Sequence, residues 1–86
     1  MNIENTLEAR EIRYGSFESL SNIAQTFKQA IKNTENYHKL DDDMKESLDM
    51  IAHKIARILN GDCYYIDSWH DISGYATLVE TRLRNM

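Results

Sequence analysis

The chain has 86 residues, a net charge of −4, no proline and three glycines. A chain of this length forms one small domain with a limited apolar core, which excludes two independent cores and makes oligomerisation an expectation. The acidic balance disfavours sequence-independent binding to nucleic-acid phosphates, which requires clustered lysine and arginine.

The scarcity of helix-breaking residues predicts an all-α fold for one domain, residues 1–86. Without proline, and with so few glycines, long uninterrupted helices are favoured over a β-rich chain. The single cysteine, Cys63, fits a reducing cytosol, and we interpret it as a small half-buried residue rather than a nucleophile. The sequence shows no signal peptide and no apolar run of about 18 residues, so we expect a cytoplasmic protein without a membrane span.

Two helices are predicted in the first half of the chain. Residues 3–13 have weak apolar periodicity, which predicts a short helix that docks on the core or on a neighbouring subunit. Gly15 is the expected C-terminal stop, and Ser16 is the expected N-cap of the next helix. From Phe17 onward apolar residues recur at spacings of three and four, which predicts a core-facing helix followed by a polar loop over 33–39.

A third helix is predicted after the acidic residues 41–43. Asp43 and Glu46 have the spacing of a capping box, which we favour over a calcium loop because further oxygen ligands are missing. One side of this helix carries an apolar arc of Met44, Leu48, Ile51, Ile55, Ile58 and Leu59. The opposite side carries a polar stripe of Glu46, Asp49, His53, Arg57 and Asn60. This stripe either faces solvent, the simpler interpretation, or forms an interface.

A fourth helix is predicted after a break at Gly61, with Asp67 as a candidate N-cap. Its predicted core face consists of Trp69, Ile72, Ala76, Val79 and Leu83. Glycine inside a helix costs about 0.5 to 1 kcal/mol relative to alanine, so we expect a helix, a second subunit or a ligand to pack at Gly74. The predicted fold is a bundle of three main helices plus a short N-terminal one. Homo-oligomerisation is expected to complete it around Tyr14 and around Gly74, Tyr75 and Leu78.

The candidate ligand-binding residues combine one aromatic residue with several cations. An aromatic ring can stack a base while cations bind phosphate, so this set suggests a nucleotide-type ligand. The alternative is that these are ordinary surface charges around an anchoring tyrosine. The candidate ligand-binding residues are Arg10, Arg13, Tyr14, Lys28 and Arg57. His53 and His70 lack a second ligand at metal-binding spacing, so we interpret them as surface or capping histidines.

Three stretches carry a family resemblance. Residues 13–17 read Arg-Tyr-Gly-Ser-Phe, residues 54–62 read Lys-Ile-Ala-Arg-Ile-Leu-Asn-Gly-Asp, and residues 65–76 read Tyr-Ile-Asp-Ser-Trp-His-Asp-Ile-Ser-Gly-Tyr-Ala. Together they resemble a family of small proteins encoded mostly by tailed phages and prophages. The resemblance implies a phage origin, and hence the cytoplasm of an infected or lysogenic bacterium, without implying an activity.

A more distant resemblance has chemical content. The pattern Asp-x-x-x-Asp-Ile-x-Gly-Tyr-Ala, after a helix with acids near its start, is similar to all-α nucleotide pyrophosphohydrolases of the MazG-like type. It is also similar to phage nucleotide-modification-associated domains. Those enzymes hold Mg²⁺ with a Glu-x-x-Glu pair on one helix and a Glu-x-x-Asp pair on another. The resemblance assigns these roles to Glu46 and Asp49 and to Asp67 and Asp71, although the second glutamate is missing and the last spacing differs.

Three functions therefore remain open at the level of sequence. The first is a phage accessory protein that acts by binding, either sequestering a nucleotide-type small molecule or engaging a host defence protein. The second is a Mg²⁺-dependent nucleotide pyrophosphohydrolase that uses Glu46, Asp49, Asp67 and Asp71 at a subunit interface. The third is a structural or regulatory adaptor.

Overall fold

The computed structural model describes residues 3–86, and its regular elements in that range are all helical. They are α1 (Ile3–Tyr14), α2 (Phe17–Lys32), a short 3₁₀ turn (Tyr37–Lys39), α3 (Asp42–Asn60) and α4 (Ile66–Arg84). Three long helices with a shorter N-terminal one confirm the predicted all-α class. Neither α1 nor any of the longer helices is apolar enough over a sufficient length to cross a bilayer.

Helix α3 is the centre of the fold, because α2 packs against it on one side and α4 on another. Small side chains allow these close approaches: Ala56 lies in one cluster with Leu20 and Ala24 of α2. On the α4 side, Ser47 of α3 and Ser68 of α4 are both buried. Helix α1 touches the others less and has no buried residue.

The helix ends confirm one predicted cap and contradict two. Ser16 is the N-cap of α2, and its hydroxyl accepts a hydrogen bond from the Ser19 amide at 3.2 Å. The capping box at Asp43 and Glu46 is wrong, since α3 begins at Asp42 and Asp43 accepts from Arg82 of α4 at 2.8 Å. The N-cap assignment of Asp67 is also wrong, because α4 already begins at Ile66.

The apolar interior is small. Its buried apolar residues within residues 3–86 are Leu20, Ala24, Ala52 and Ala56, and no large side chain there is completely buried, since Leu20 keeps 5% exposure. Trp69, predicted to be core, is 56% exposed and uses its indole N–H to donate to the Cys63 carbonyl at 2.9 Å. Cys63 is exposed rather than half-buried. Helix α4 thus faces α3 with a strip rotated away from Trp69, centred on Ser68, Ile72, Tyr75 and Val79.

The turn between α1 and α2 packs closely against the C-terminal end of α3, and each side of this contact contains a glycine. We call residues 13–16 and 60–62 the glycine junction. Gly15 has φ +77°, and a Cβ there would collide with the Asn60 carbonyl. A Cβ on Gly61 would collide with the Arg13 carbonyl, which accepts a hydrogen bond from the Asp62 amide at 2.6 Å. Two of the three stretches that carry the family resemblance therefore contact each other.

Asn60 holds the glycine junction together from the end of α3. Its side-chain amide nitrogen donates to the Tyr14 carbonyl at 2.8 Å and to the Ser16 carbonyl at 3.1 Å. The Tyr14 carbonyl lies at the end of α1, where a helix leaves carbonyl groups without internal partners. The Ser16 carbonyl also accepts from the Leu20 amide at 3.0 Å, so Asn60 is its second donor. One side chain thus fixes the angle at which α1 leaves the bundle.

Gly74 has a different environment from the one expected. No atom of the described chain outside its own helical neighbourhood lies within 4 Å of a Cβ placed there, and Leu78 on the same side of α4 is 67% exposed. The prediction that another helix of the chain packs closely at Gly74 is therefore wrong. The expectation that a second subunit covers Gly74, Tyr75 and Leu78 stays a prediction.

An ion pair inside the α3–α4 contact should respond unequally to loss of its two partners. Lys54 Nζ lies 2.9 Å from Asp71 Oδ2, with 10% of the Lys54 side chain exposed. Asp71→Asn leaves the sequestered ammonium without a counter-charge, whereas Lys54→Met removes the charge and keeps the apolar stem. We expect Asp71→Asn to lower the free energy of unfolding more than Lys54→Met in urea titrations at neutral pH. An equal or reversed order would contradict this.

The Lys54–Asp71 ion pair also makes the free energy of unfolding depend on pH. The Lys54 ammonium holds the pKa of Asp71 below its usual range. The stabilisation is therefore complete above the ordinary carboxyl pKa and is lost as the pH falls through the lowered folded-state value. Asp71→Asn should lack this part of the acid-dependent loss of stability, which urea titrations at acidic pH would measure.

Candidate functional site

A cavity of about 620 Å³ lies between α1, the start of α2 and the C-terminal half of α3. We call it the α1–α3 cavity. Its volume is in the range typical of small-molecule sites. Its lining residues are Leu7, Arg10, Glu11, Tyr14, Gly15, Phe17, Leu20, His53 and Arg57.

Helix geometry explains why these residues share one space. Leu7, Arg10 and Tyr14 follow one another at spacings of three and four, so α1 presents them on a single side. His53 and Arg57 are four residues apart on α3 and lie on its polar side. The glycine junction places α1 across the polar side of α3. The Leu7–Arg10–Tyr14 side of α1 and the His53–Arg57 side of α3 therefore form opposite walls of the cavity.

Arg57 is held by aromatic stacking rather than by an acid. Its guanidinium carbon lies 4.2 Å from the centroid of the Tyr14 ring, and Tyr14 meets Tyr65 edge-on at 6.1 Å. The buried Arg57 Nε has no hydrogen-bond acceptor among residues 3–86. Buried polar groups are nearly always hydrogen-bonded, whereas this nitrogen is an unsatisfied donor in the described chain.

The surroundings of His53 disfavour its protonation. Burial lowers its pKa first, and the nearby positive charges of Arg57, Lys28 and Lys54 lower it further. Three cations around one half-buried imidazole produce a local positive potential inside a chain whose net charge is −4. An anion bound here would offset that potential.

A family profile described as "Domain of unknown function (DUF6378)" matches residues 3–83. The chain belongs to the DUF6378 family. No curated protein and no solved structure shows significant similarity to the chain. The DUF6378 match contains every residue that lines the α1–α3 cavity and both halves of the glycine junction, yet its description assigns no activity.

The DUF6378 chain brings three of the five predicted ligand-binding residues together. Arg10, Tyr14 and Arg57 line the α1–α3 cavity. Lys28 does not line the cavity, but it lies close enough to His53 to lower the pKa of the His53 imidazole. Arg13 points elsewhere, with its guanidinium carbon 5.0 Å from the Tyr65 ring centroid.

Several lining residues were not predicted from the sequence. The sequence favours a surface or capping role for His53, and it favours a solvent-facing polar stripe on α3 over an interface. In the DUF6378 structure only Glu46 of that stripe is exposed, while Asp49, His53, Arg57 and Asn60 are at least half-buried. The spacing of four between His53 and Arg57 was visible, but the helix that covers them could not be read from periodicity.

The four candidate metal ligands do not come together within one DUF6378 chain. Asp71 pairs with Lys54, and Asp67 accepts a hydrogen bond from the Tyr65 hydroxyl at 2.9 Å, which raises the pKa of Tyr65. Glu46 is exposed, whereas Asp49 has a buried Oδ1 that no donor in residues 3–86 reaches. Across the described residues, no three His, Cys, Asp or Glu side chains are grouped to hold a metal ion.

Proposed function

We propose that this protein binds a nucleotide-type small molecule in the α1–α3 cavity. The phosphate lies toward Arg10 and Arg57, and the base lies against the apolar wall. The observation that carries the proposal is the stacked, half-buried Arg57, whose Nε has no acceptor in the described chain. Arginine binds phosphate oxygens through several parallel N–H groups, so a phosphate at Arg57 would satisfy this donor once the side chain turns to expose it.

The electrostatics support an anionic group at the inner end of the cavity. Arg10 and Arg57 line it, and Lys28 adds positive charge beside His53. Glu11 is the acidic residue in the lining, so positive charge exceeds negative there. The positive potential favours phosphate over a neutral ligand.

The apolar side of the cavity supports a flat, uncharged partner group. Leu7, Phe17 and Leu20 contribute it, and Phe17 is 76% exposed although it opens α2 beside the glycine junction. An exposed aromatic ring next to cations is a surface on which a base can stack. A nucleotide combines both requirements in one molecule.

The family resemblance supplies a setting for this binding. In a phage accessory protein, a binding site without a catalytic centre would sequester a nucleotide in the infected cell, for example one that a host defence system uses. If the cavity takes no nucleotide, engagement of a host protein or an adaptor role is the remaining proposal of the binding class.

The proposal predicts unequal effects of two neighbouring arginines. Arg10 lines the cavity and Arg13 lies against Tyr65, so Arg10→Met and Arg13→Met remove the same charge from the same helix at different places. By isothermal titration without metal, we expect Arg10→Met and Arg57→Met to weaken nucleotide binding by at least about 10-fold, the loss of one charge-assisted hydrogen bond. Arg13→Met should retain the affinity.

A set of related ligands tests the phosphate contact and the base contact separately. Nucleoside mono-, di-, tri- and cyclic phosphates should raise the melting temperature, and unphosphorylated nucleosides should raise it less. Bound phosphate also raises the pKa of His53, so binding should strengthen below neutral pH more in the unaltered chain than in a His53→Gln variant. The proposal fails if no nucleotide binds, or if Arg13→Met weakens binding as much as Arg10→Met.

One observation favours the Mg²⁺-dependent pyrophosphohydrolase as a second candidate. Asp49 has a buried carboxylate oxygen without a donor, and Glu46 stands one helical turn before it. With Asp67 and Asp71 engaged elsewhere, further oxygen ligands for Mg²⁺ would have to come from outside the described chain. Release of pyrophosphate from nucleoside triphosphates with Mg²⁺, lost in Asp49→Asn, would establish this candidate. No release with any nucleotide would remove it.

A further inference from the structure

Glu11 is the acidic residue in the lining of the α1–α3 cavity. It is exposed, and within residues 3–86 its carboxylate forms no ion pair and accepts no side-chain hydrogen bond. Arg10, the preceding residue, lines the same cavity and has no acidic partner in that part of the chain either. The two opposite charges are therefore both available, each to a different group of a ligand.

The position of Glu11 along α1 is between the two ends of the cavity. Helical residues rise about 1.5 Å each, so Glu11 lies about 4.5 Å along the axis from Tyr14 and about 6 Å from Leu7. Tyr14 adjoins the glycine junction and stacks on Arg57, which is proposed to bind phosphate. Leu7 belongs to the apolar wall that is proposed to contact the base. Glu11 is therefore level with the group that joins phosphate to base, which in a nucleotide is the sugar.

The chemistry of a carboxylate favours the same group. An ionised carboxylate only accepts hydrogen bonds, so it repels phosphate and needs donors from its ligand. The adjacent 2′ and 3′ hydroxyls of ribose are two such donors, and the two oxygens of one carboxylate can accept from both. Hydrogen bonds to an ionised acceptor are roughly twice as strong as those between neutral groups. A 2′-deoxyribose lacks one of the two donors.

We propose that Glu11 binds the ribose hydroxyls and so makes the α1–α3 cavity selective for ribonucleotides over deoxyribonucleotides. This inference rests on the nucleotide site proposed above, and it adds the sugar to the groups that the site recognises. Arg10 and Glu11 then contact different parts of one ligand. The longer arginine side chain reaches toward the phosphate, and the shorter carboxylate stays level with the sugar.

Paired ribose and deoxyribose ligands test the sugar contact. The probes are the 5′-monophosphates of adenosine, guanosine, cytidine and uridine, each with its 2′-deoxy counterpart, in isothermal titrations at neutral pH without metal. For each base that binds, the ribose form should bind at least about 10-fold more tightly, the effect of one charge-assisted hydrogen bond. The 2′-fluoro analogue has a substituent close to a hydroxyl in size but no donor, so it should bind as weakly as the deoxy form.

Glu11→Ala tests the residue, and Glu8→Ala is its matched control. Glu8 carries the same charge on the same helix and does not line the cavity. Glu11→Ala should abolish the preference for ribose, whereas Glu8→Ala should keep it. The preference is a ratio of two affinities within one variant, so a general effect of charge on phosphate binding cancels. Both positions are exposed on a helix without buried residues, so circular dichroism should show unchanged helix content.

The outcomes separate the sugar contact from the nucleotide site. Equal or tighter binding of the deoxyribose forms, or a preference that Glu11→Ala retains, overturns the sugar contact. Weaker binding in Arg10→Met would still support the nucleotide site in that case. Absence of binding by every ribonucleotide and deoxyribonucleotide overturns the nucleotide site, and the sugar contact with it.

Discussion

Replacing Gly61 with alanine is expected to lower the free energy of unfolding by about 3 kcal/mol, the upper end of the usual range for single substitutions. The new Cβ would overlap the Arg13 carbonyl and the Tyr14 Cα. Both are backbone atoms, so no side-chain rotation relieves the contact. Chemical denaturation followed by circular dichroism would measure the change.

Gly74→Ala is the matched control for this prediction. A Cβ at Gly74 meets open space in the chain, and alanine is preferred over glycine in a helix interior by about 0.5 to 1 kcal/mol. Gly74→Ala should therefore raise the free energy of unfolding by about that amount. A destabilising Gly74→Ala would contradict the open environment and would indicate a partner at this position in solution. A harmless Gly61→Ala would contradict the close approach at the glycine junction.

The second large effect is expected from Asn60→Asp, which keeps the shape of the side chain and changes its chemistry. The amide of Asn60 donates to the Tyr14 and Ser16 carbonyls. A carboxylate has no donor and would place negative charge against two carbonyl oxygens. Loss of two hydrogen bonds and their replacement by repulsion should cost about 3 kcal/mol at neutral pH.

The pH dependence of Asn60→Asp identifies the cause. Repulsion by the two carbonyls raises the folded-state pKa of the introduced carboxyl above its unfolded value, so the folded state takes up a proton more readily. The cost should shrink as the pH falls through that raised value, because a protonated carboxyl can donate to one carbonyl. A cost that stays constant between neutral and acidic pH, relative to Asn60→Ala, would show that the hydrogen bonds are not the reason.

Local pattern was sufficient for much of the fold. Apolar spacing predicted the helical class, and Gly15 with Ser16 predicted both the stop of α1 and the cap of α2, as observed. These features depend on residues close in the chain, where backbone geometry and capping chemistry act directly. That is why sequence reasoning is reliable there.

Long-range pairing explains the failures. Asp43 has the spacing of a capping residue, but Arg82, 39 positions away, offers a charged bidentate donor that a backbone amide cannot match. Apolar periodicity alone would place the apolar arc of α3 against the other helices. The helices instead pack where Ala52, Ala56 and Ser47 permit the closest approach, which periodicity does not reveal.

The candidate site was predictable in composition and not in geometry. Arg10, Tyr14 and Arg57 belong to the set that the sequence predicts to bind a ligand, and they line one cavity. Their convergence depends on the angle between α1 and α3, which the glycine junction determines through contacts more than 40 residues apart in sequence. The exclusion of Arg13, one turn away on the same helix, follows from the same angle.

Helix α1 has no buried residue, and the carbonyls of Arg13 and Tyr14 at its C-terminal end accept hydrogen bonds from Asp62 and Asn60 in the glycine junction. A segment attached in this way can detach at a small free-energy cost while the α2–α3–α4 core stays folded. Because α1 forms one wall of the α1–α3 cavity, its local opening would admit and release a ligand without global unfolding. The exchange rate of the ligand would then be governed by the opening equilibrium of a single helix rather than by the stability of the protein.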